Sequence, residues 1–311
     1  VLLRVRGVGL CGSDLHYYLE GGIGSAVIRE PFIMGHEIAA ELTEPHGNLP
    51  AGTLVAVDPN HPCGHCEQCE RGYVNLCPNH TFLGAPPTTG AMAEYLVAPA
   101  STVIPVPSHF DAATVVALEP LGIAIHALDL ARLRPMESVA VLGAGPIGLL
   151  LTQVARASGA GDLFVIDPLA YRQQAALEMG ATRVAASHHT IAEWTKGRGV
   201  DVVLEATNSP LGPQHAAEAV RIGGRLVLVG IPEGGEIGFN ASLVRRKGLS
   251  IKLSRRMGHT YPRAIQMVER GLVRFESLIT HRIGLNQIPQ AFDDLAAYRN
   301  GALKIVADPN A

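Results

Sequence analysis

The chain has 311 residues, 47% hydrophobic and 17% charged, roughly twice the ~150 residues of a single domain and too apolar for a disordered chain. Its formal net charge is −3, and no basic run exceeds Arg245-Arg246-Lys247, so nucleic acid is not expected as a partner. Gly, Pro and charged residues interrupt the apolar stretches, so no membrane partner is expected either.

Up to about Pro120, short β-branched runs at 53–57 and 94–98 alternate with Gly, Pro and Asn turns, the pattern of an irregular all-β domain without a long helix. From about Leu121 the pattern becomes α/β, with apolar strands expected at 139–142, 163–167, 183–186, 201–205, 225–229 and 249–253 and amphipathic segments between them. Six strands so spaced predict a doubly wound parallel sheet. After Ser254 a polar stretch leads to helices expected at 263–270 and 287–298, with a short strand between.

The first strand of the α/β part runs into VAVLGAGPIG, which places Gly143, Gly145 and Gly148 at G-x-G-x-x-G spacing before an apolar helix. Gly143 suits a tight turn, Gly145 lets backbone approach a pyrophosphate, and Gly148 lets helix pack on strand. Pro146 suits the first helical turn, with Ile147 beside it, and the free N–H groups there attract phosphate. Asp167 ends the second strand, where its carboxylate can accept hydrogen bonds from ribose hydroxyls and repel a 2′-phosphate, which favours NAD. Arg172 points the other way, because an arginine near that strand end can pair with a 2′-phosphate.

Cysteine usage carries a second signal. Four of the five cysteines, Cys63, Cys66, Cys69 and Cys77, stand as C-x2-C-x2-C-x7-C, a spacing that lets a short lobe wrap one tetrahedral ion. Thiolate softness excludes magnesium and calcium, zinc is the leading ion, and an iron–sulfur cluster uses the same ligand type. His61, His65 and His80 flank the lobe as substitute donors. An odd cysteine count with this spacing fits metal ligation in a reducing, cytoplasmic setting better than a disulfide framework. The chain starts at Val1 within an apolar run, so a preceding leader or hairpin is conceivable on sequence grounds.

The fifth cysteine, Cys11, belongs to CGSDLHYY; MGHE follows with His36, and LEP supplies Glu119. One thiolate, one imidazole and one carboxylate from three segments leave a fourth position open, the pattern of a catalytic zinc. Asp14 is a candidate acceptor for the second ring nitrogen of His36, and Glu37 reads equally as a ligand or as a carboxylate behind the ligands or on the surface.

Together CGSDLHYY, MGHE, CGHCEQCERGYVNLC, LEPLGIAIHA, VLGAGPIG and LITHRIGL resemble the zinc-dependent medium-chain alcohol dehydrogenases, and most of all their polyol branch of sorbitol, xylitol and idonate dehydrogenases. The resemblance implies a GroES-like catalytic domain from 1–121 and 255–311, with a structural zinc lobe at 61–80, and a Rossmann NAD-binding domain at 122–254. It implies two zinc ions per chain: a catalytic one on Cys11, His36 and Glu119, with Glu37 as an exchangeable neighbour, and a structural one on the four clustered cysteines. It assigns proton relay to Ser13 and His16 and substrate orientation to Tyr17 and Arg256. The implied reaction moves a hydride from a secondary hydroxyl of a polyol or sugar acid to NAD. Glu119 favours polyols, since branches acting on simple alcohols carry Cys there and threonine dehydrogenases usually carry Asp. RRMGHTYP departs from the branch's usual aromatic and Asn. Threonine or butanediol oxidation is the alternative within enzymes, and a non-catalytic zinc- and NAD-binding protein the alternative outside them. A homodimer or homotetramer is expected, paired through the edge strand at 249–253.

Overall fold

A computed structural model describes residues 1–232 and 236–311. The chain forms two compact units, 1–119 with 275–311, and 120–274.

The first unit is built on a seven-stranded mixed sheet whose main path runs Ile279–Gly284, Lys304–Asp308, Leu2–Gly9, Glu37–Leu42, Leu54–Val57, Val103–Pro105, with Tyr95–Val97 added beside Leu2–Gly9. Alternation explains the first strand: Leu3 and Val5 are buried while Leu2 and Arg4 face out, the period of a half-buried strand. Its inner face packs with Ile38, Val55 and Phe292 into one core. The central pairings are antiparallel and bring together residues far apart in sequence: Gly9 stands opposite both Glu37 and Val306.

The second unit carries a six-stranded parallel sheet in the order Arg183–Ala185, Leu163–Ile166, Val139–Leu142, Val200–Glu205, Val220–Leu228, Ser250–Leu253. The six strands expected from the apolar runs are all present in this sheet, in the order of a doubly wound fold. Ser250–Leu253 is an edge, and Leu253 is 65% exposed.

Three readings change. A helix, Gly12–Glu20, interrupts the region expected to be all β, because Cys11 acts as its N-cap through a Cys-x-x-Asp capping box, a variant of the usual Ser or Thr signal. Helical residues Ala112–Ala131 form the one stretch among the described residues long and apolar enough to cross a membrane, where no such run was expected; 72% of its most apolar window is buried, as in a core helix. The helix Tyr261–Glu269, expected with the C-terminal return to the first domain, lies in the second unit, where Arg263 pairs with Asp129 and Gln153 exchanges hydrogen bonds with the Arg274 backbone at 2.9 and 2.8 Å.

Candidate metal centre

Cys11, His36 and Glu37 converge at the ends of the central strands of the first unit, with their ligand atoms within 4.8 Å of one another. The helix start fixes the geometry. Asp14 is fully buried and accepts from the Cys11 N–H at 3.1 Å and the Gly35 N–H at 3.3 Å, tying the two ligand segments together. Its Oδ1 also stands 3.4 Å from His36 Nδ1, an electrostatic contact too long for a good hydrogen bond, and that buried ring nitrogen has no hydrogen-bond partner. Burial alone would depress the His36 pKa, but the charges of Asp14 and Cys11 outweigh it and hold it well above the usual imidazole value. One thiol, one imidazole and one carboxylate brought this close are the donors of a mixed zinc site.

Sequence reading put Glu119 among the ligands and Glu37 beside them; the structure gathers Glu37 with Cys11 and His36 and leaves Glu119 outside that group. Glu119 is buried in the first turn of Leu118–Ala131, and burial, together with the Glu37 carboxylate, pushes its pKa up to about 8 against the opposing His36. The reason for Glu37's position is a residue that sequence reading missed. Lys304, 2% exposed, donates to both Glu37 oxygens at 2.6 and 2.8 Å and to the Leu10 carbonyl at 3.0 Å. Gly9 makes room for the pair: a Cβ there would stand 1.9 Å from Glu37 Oε2.

Ser13, His16 and Tyr17 share the helix Gly12–Glu20. His16 Nδ1 lies 2.7 Å from Glu20 Oε1, a second partner not foreseen although it sits at i+4. Tyr17 is buried edge-on against Phe32. Arg256 belongs to the second unit, half-buried just after the edge strand and with a φ of 54°.

The four-cysteine lobe closes as the spacing implies. The Sγ separations are 3.5 Å for Cys66–Cys69, 3.8 Å for Cys66–Cys77 and 3.5 Å for Cys63–Cys77. A tetrahedral zinc with Zn–S bonds near 2.3 Å needs sulfurs about 3.8 Å apart. The His65 backbone N–H holds the Cys63 thiol down to about 6, while burial and Cys66 push Cys69 up to about 12. Four sulfurs this close ionise together only around a cation. His65 and His80 turn their Nδ1 atoms to backbone carbonyls, and the group gathered within ligand distance is the four cysteines.

In the second unit the glycine turn is sterically obligatory. Gly143 has φ +90°, and a Cβ on Gly148 would stand 1.8 Å from the Gly143 carbonyl oxygen. Pro146 opens the helix Pro146–Ala157, with Gly145 as N-cap and Ile147 in its first turn. Asp167 accepts from the Ala144 N–H at 2.8 Å and the Leu169 N–H at 2.9 Å, leaving lone pairs for ribose hydroxyls. Arg172 Nη1 lies 3.7 Å from Asp167 and 3.9 Å from where a Gly145 Cβ would be, so it stands over the phosphate turn as well as beside the carboxylate.

Fold, thiolate lobe, mixed donor cluster and glycine turn together define a two-domain metal- and dinucleotide-binding oxidoreductase. Residues 1–108 match the alcohol dehydrogenase GroES-like domain and residues 146–270 the zinc-binding dehydrogenase family. The chain is 36% identical to sorbitol dehydrogenase of Bacillus subtilis (strain 168) over 318 residues, covering 100% of this chain and 90% of that protein. L-idonate 5-dehydrogenase from Escherichia coli superposes with a TM-score of 0.90 at 28% identity, over 99% of this chain and 90% of that one. A zinc-binding dehydrogenase from Sinorhizobium meliloti 1021, described as putative and bound to NADP, superposes at 0.89 and 28% identity, over 99% and 92%. The chain belongs to the zinc-dependent medium-chain alcohol dehydrogenase family, in its polyol dehydrogenase branch.

Proposed function

We propose that this chain oxidises a secondary hydroxyl of a polyol or sugar acid to the ketone with NAD as acceptor. The observation that carries the reading is the convergence of Cys11 with the buried His36 and Glu37, with Glu119 nearby, a donor set able to leave one position open. In this reading Cys11 and His36 hold one zinc with a carboxylate from Glu119 or Glu37, and Cys63, Cys66, Cys69 and Cys77 hold a second. Zinc bound in the open site supplies Lewis acidity toward the reacting hydroxyl, and NAD supplies the hydride acceptor.

The chain's own groups do the rest. Asp14 faces the His36 ring electrostatically at 3.4 Å, and Lys304 fixes Glu37 by both oxygens, so Glu119 is the carboxylate left to approach or withdraw. Burial raises the pKa of the Glu119 carboxyl, and a nearby cation would favour its charged form. Ser13 and His16 lead the substrate proton outward, and Glu20, 49% exposed, passes it from His16 to water. Tyr17 and Arg256 supply the donors that orient hydroxyls. The free lone pairs of Asp167 bind ribose, and its charge disfavours a 2′-phosphate.

The names of the sorbitol and L-idonate relatives support a polyhydroxylated substrate. The edge strand Ser250–Leu253, with Leu253 exposed, supports pairing with a second copy, as a homodimer or homotetramer. The C-x2-C-x2-C-x7-C spacing, that of a metal lobe rather than a disulfide framework, supports a reducing, cytoplasmic setting. The test is a panel of polyols, sugar acids, threonine, butanediol and ethanol with NAD and NADP. A polyol or sugar acid with NAD should give the highest kcat/KM. Ethanol should trail by up to ~10⁴-fold, because a site built for hydroxyls leaves its donors unpaired on an apolar substrate. Ethanol or threonine equal to the best polyol, or NADP preferred over NAD, would overturn the assignment.

A further inference from the structure

Away from both centres, the second unit gathers one more set of donors. His188 and His189 stand at the start of the helix His189–Trp194, and Glu218 lies in the last turn of Gly212–Ala219; their ligand atoms all fall within 4.8 Å of one another. His188 is buried, while His189 and Glu218 reach solvent. His188 Nε2 and Glu218 Oε2 are 2.9 Å apart. The His188 ring packs 4.0 Å from that of His189 and stacks at 4.1 Å on His215, 16° from parallel. The group opens on a cleft of about 500 Å³.

Cations line the same cleft, so its preference for an anion or a cation turns on which charges are already met. Arg198 and Arg221 are both ion-paired with Asp201, at 2.7 and 2.6 Å. Lys247 Nζ donates to the carbonyls of Ala217, Glu218 and Val220 at 3.0, 2.8 and 2.6 Å, capping the helix rather than the carboxylate. Gln214 holds the other Glu218 oxygen at 2.7 Å. Glu218 Oε2 meets His188 Nε2 through a shared proton, so an incoming anion would face that carboxylate, while a cation that displaces the proton would meet the oxygen and the imidazole together.

We propose that His188, His189 and Glu218 form a third metal site, for a borderline divalent ion of the zinc class, with His215 in reach as a supporting imidazole. Two imidazoles and one carboxylate suit zinc, nickel or copper and disfavour the oxygen-seeking magnesium and calcium. Tetrahedral bonds near 2.1 Å place donor atoms about 3.4 Å apart, so the His188–Glu218 pair, now at 2.9 Å, opens by about half an ångström around an ion. The site is accessible and lacks thiolates, so its ion exchanges on dialysis, unlike one in the four-cysteine lobe. The cleft includes Gly199 and Ala219, where Val200–Glu205 and Val220–Leu228 begin, the opposite end of the parallel sheet from the glycine turn. An ion there clamps two helices together and takes no part in hydride transfer.

The test is calorimetric titration of the zinc-saturated, dialysed protein with ZnCl₂. Wild type should take up one further equivalent and gain thermal stability with it. His189→Ala and Glu218→Gln, both at solvent-reaching positions, should each weaken that uptake on the order of 100-fold, with far-UV circular dichroism and turnover unchanged. No further equivalent in wild type, or undiminished affinity in either variant, would overturn the site.

Discussion

Lys304→Met isolates the contact that sequence reading missed. The substitution keeps an unbranched stem of similar length and removes the ammonium, so the fully buried Glu37 loses hydrogen bonds at 2.6 and 2.8 Å and the Leu10 carbonyl loses one at 3.0 Å. Removing one partner of a buried pair costs about 3–5 kcal/mol, because the other charge stays buried and uncompensated. At roughly 2–4 °C per kcal/mol, that is a fall in Tm on the order of 10 °C. The double variant Lys304→Met/Glu37→Gln should recover most of the loss, since a neutral amide needs no counter-charge. Urea denaturation of the zinc-loaded proteins, followed by circular dichroism, measures both steps. A single variant within about 1 kcal/mol of wild type, or a double variant no more stable than the single, would refute the claim that Lys304 neutralises Glu37.

Gly9→Ala drives a methyl into Glu37 Oε2, and into Val116 Cγ1 at 2.8 Å, so it should cost about 1–3 kcal/mol and lower zinc retention at the open site; denaturation and metal analysis after dialysis check it. Asp167→Ser should raise kcat/KM for NADP relative to NAD, measured by steady-state kinetics, and the neighbouring Arg172 should make the change larger than charge removal alone. Burial works against the charge on Asp201, but Arg198, Ser138 and Arg221 outweigh it and hold its carboxyl well below the ordinary range. Its contribution is therefore complete above the unfolded value near 4 and fades as pH falls below it. Asp201→Asn should accordingly destabilise the protein at pH 7, with the difference from wild type narrowing toward pH 3 in denaturant titrations.

The parts of the molecule legible in sequence are those whose chemistry is local. The cysteine lobe needs fifteen consecutive residues, and the glycine turn needs one strand, six residues and a helix start, so spacing alone predicts both. The central strands Val139–Leu142, Leu163–Ile166 and Val200–Glu205 were visible because each is buried throughout and reads as a nearly continuous apolar run, while the edge strands Arg183–Ala185 and Ser250–Leu253 are more exposed and poorer in apolar residues. The helix Gly12–Glu20 was missed because its N-cap is a cysteine, and His16–Glu20 went with it. Lys304 could not be seen: its partner Glu37 is 267 residues away, and only the register of three strands brings them together. A lysine inside the buried strand KIVAD was the single available hint, since such a charge needs a partner. The same holds for Glu37 and Glu119. Both are acidic residues in family motifs, and their roles separate through burial and the reach of Lys304, which no spacing records.

Turnover should depend on an open metal site at Cys11 and His36 that is separate from the four-cysteine lobe. Zinc should be counted by elemental analysis after exhaustive dialysis, together with turnover of the best polyol, in wild type and in Cys11→Ser. Wild type should hold two zinc ions per chain and turn over; Cys11→Ser should hold one, keep its fold and lose turnover. Two tightly held zinc ions in Cys11→Ser, or full activity in wild type with one, would contradict it.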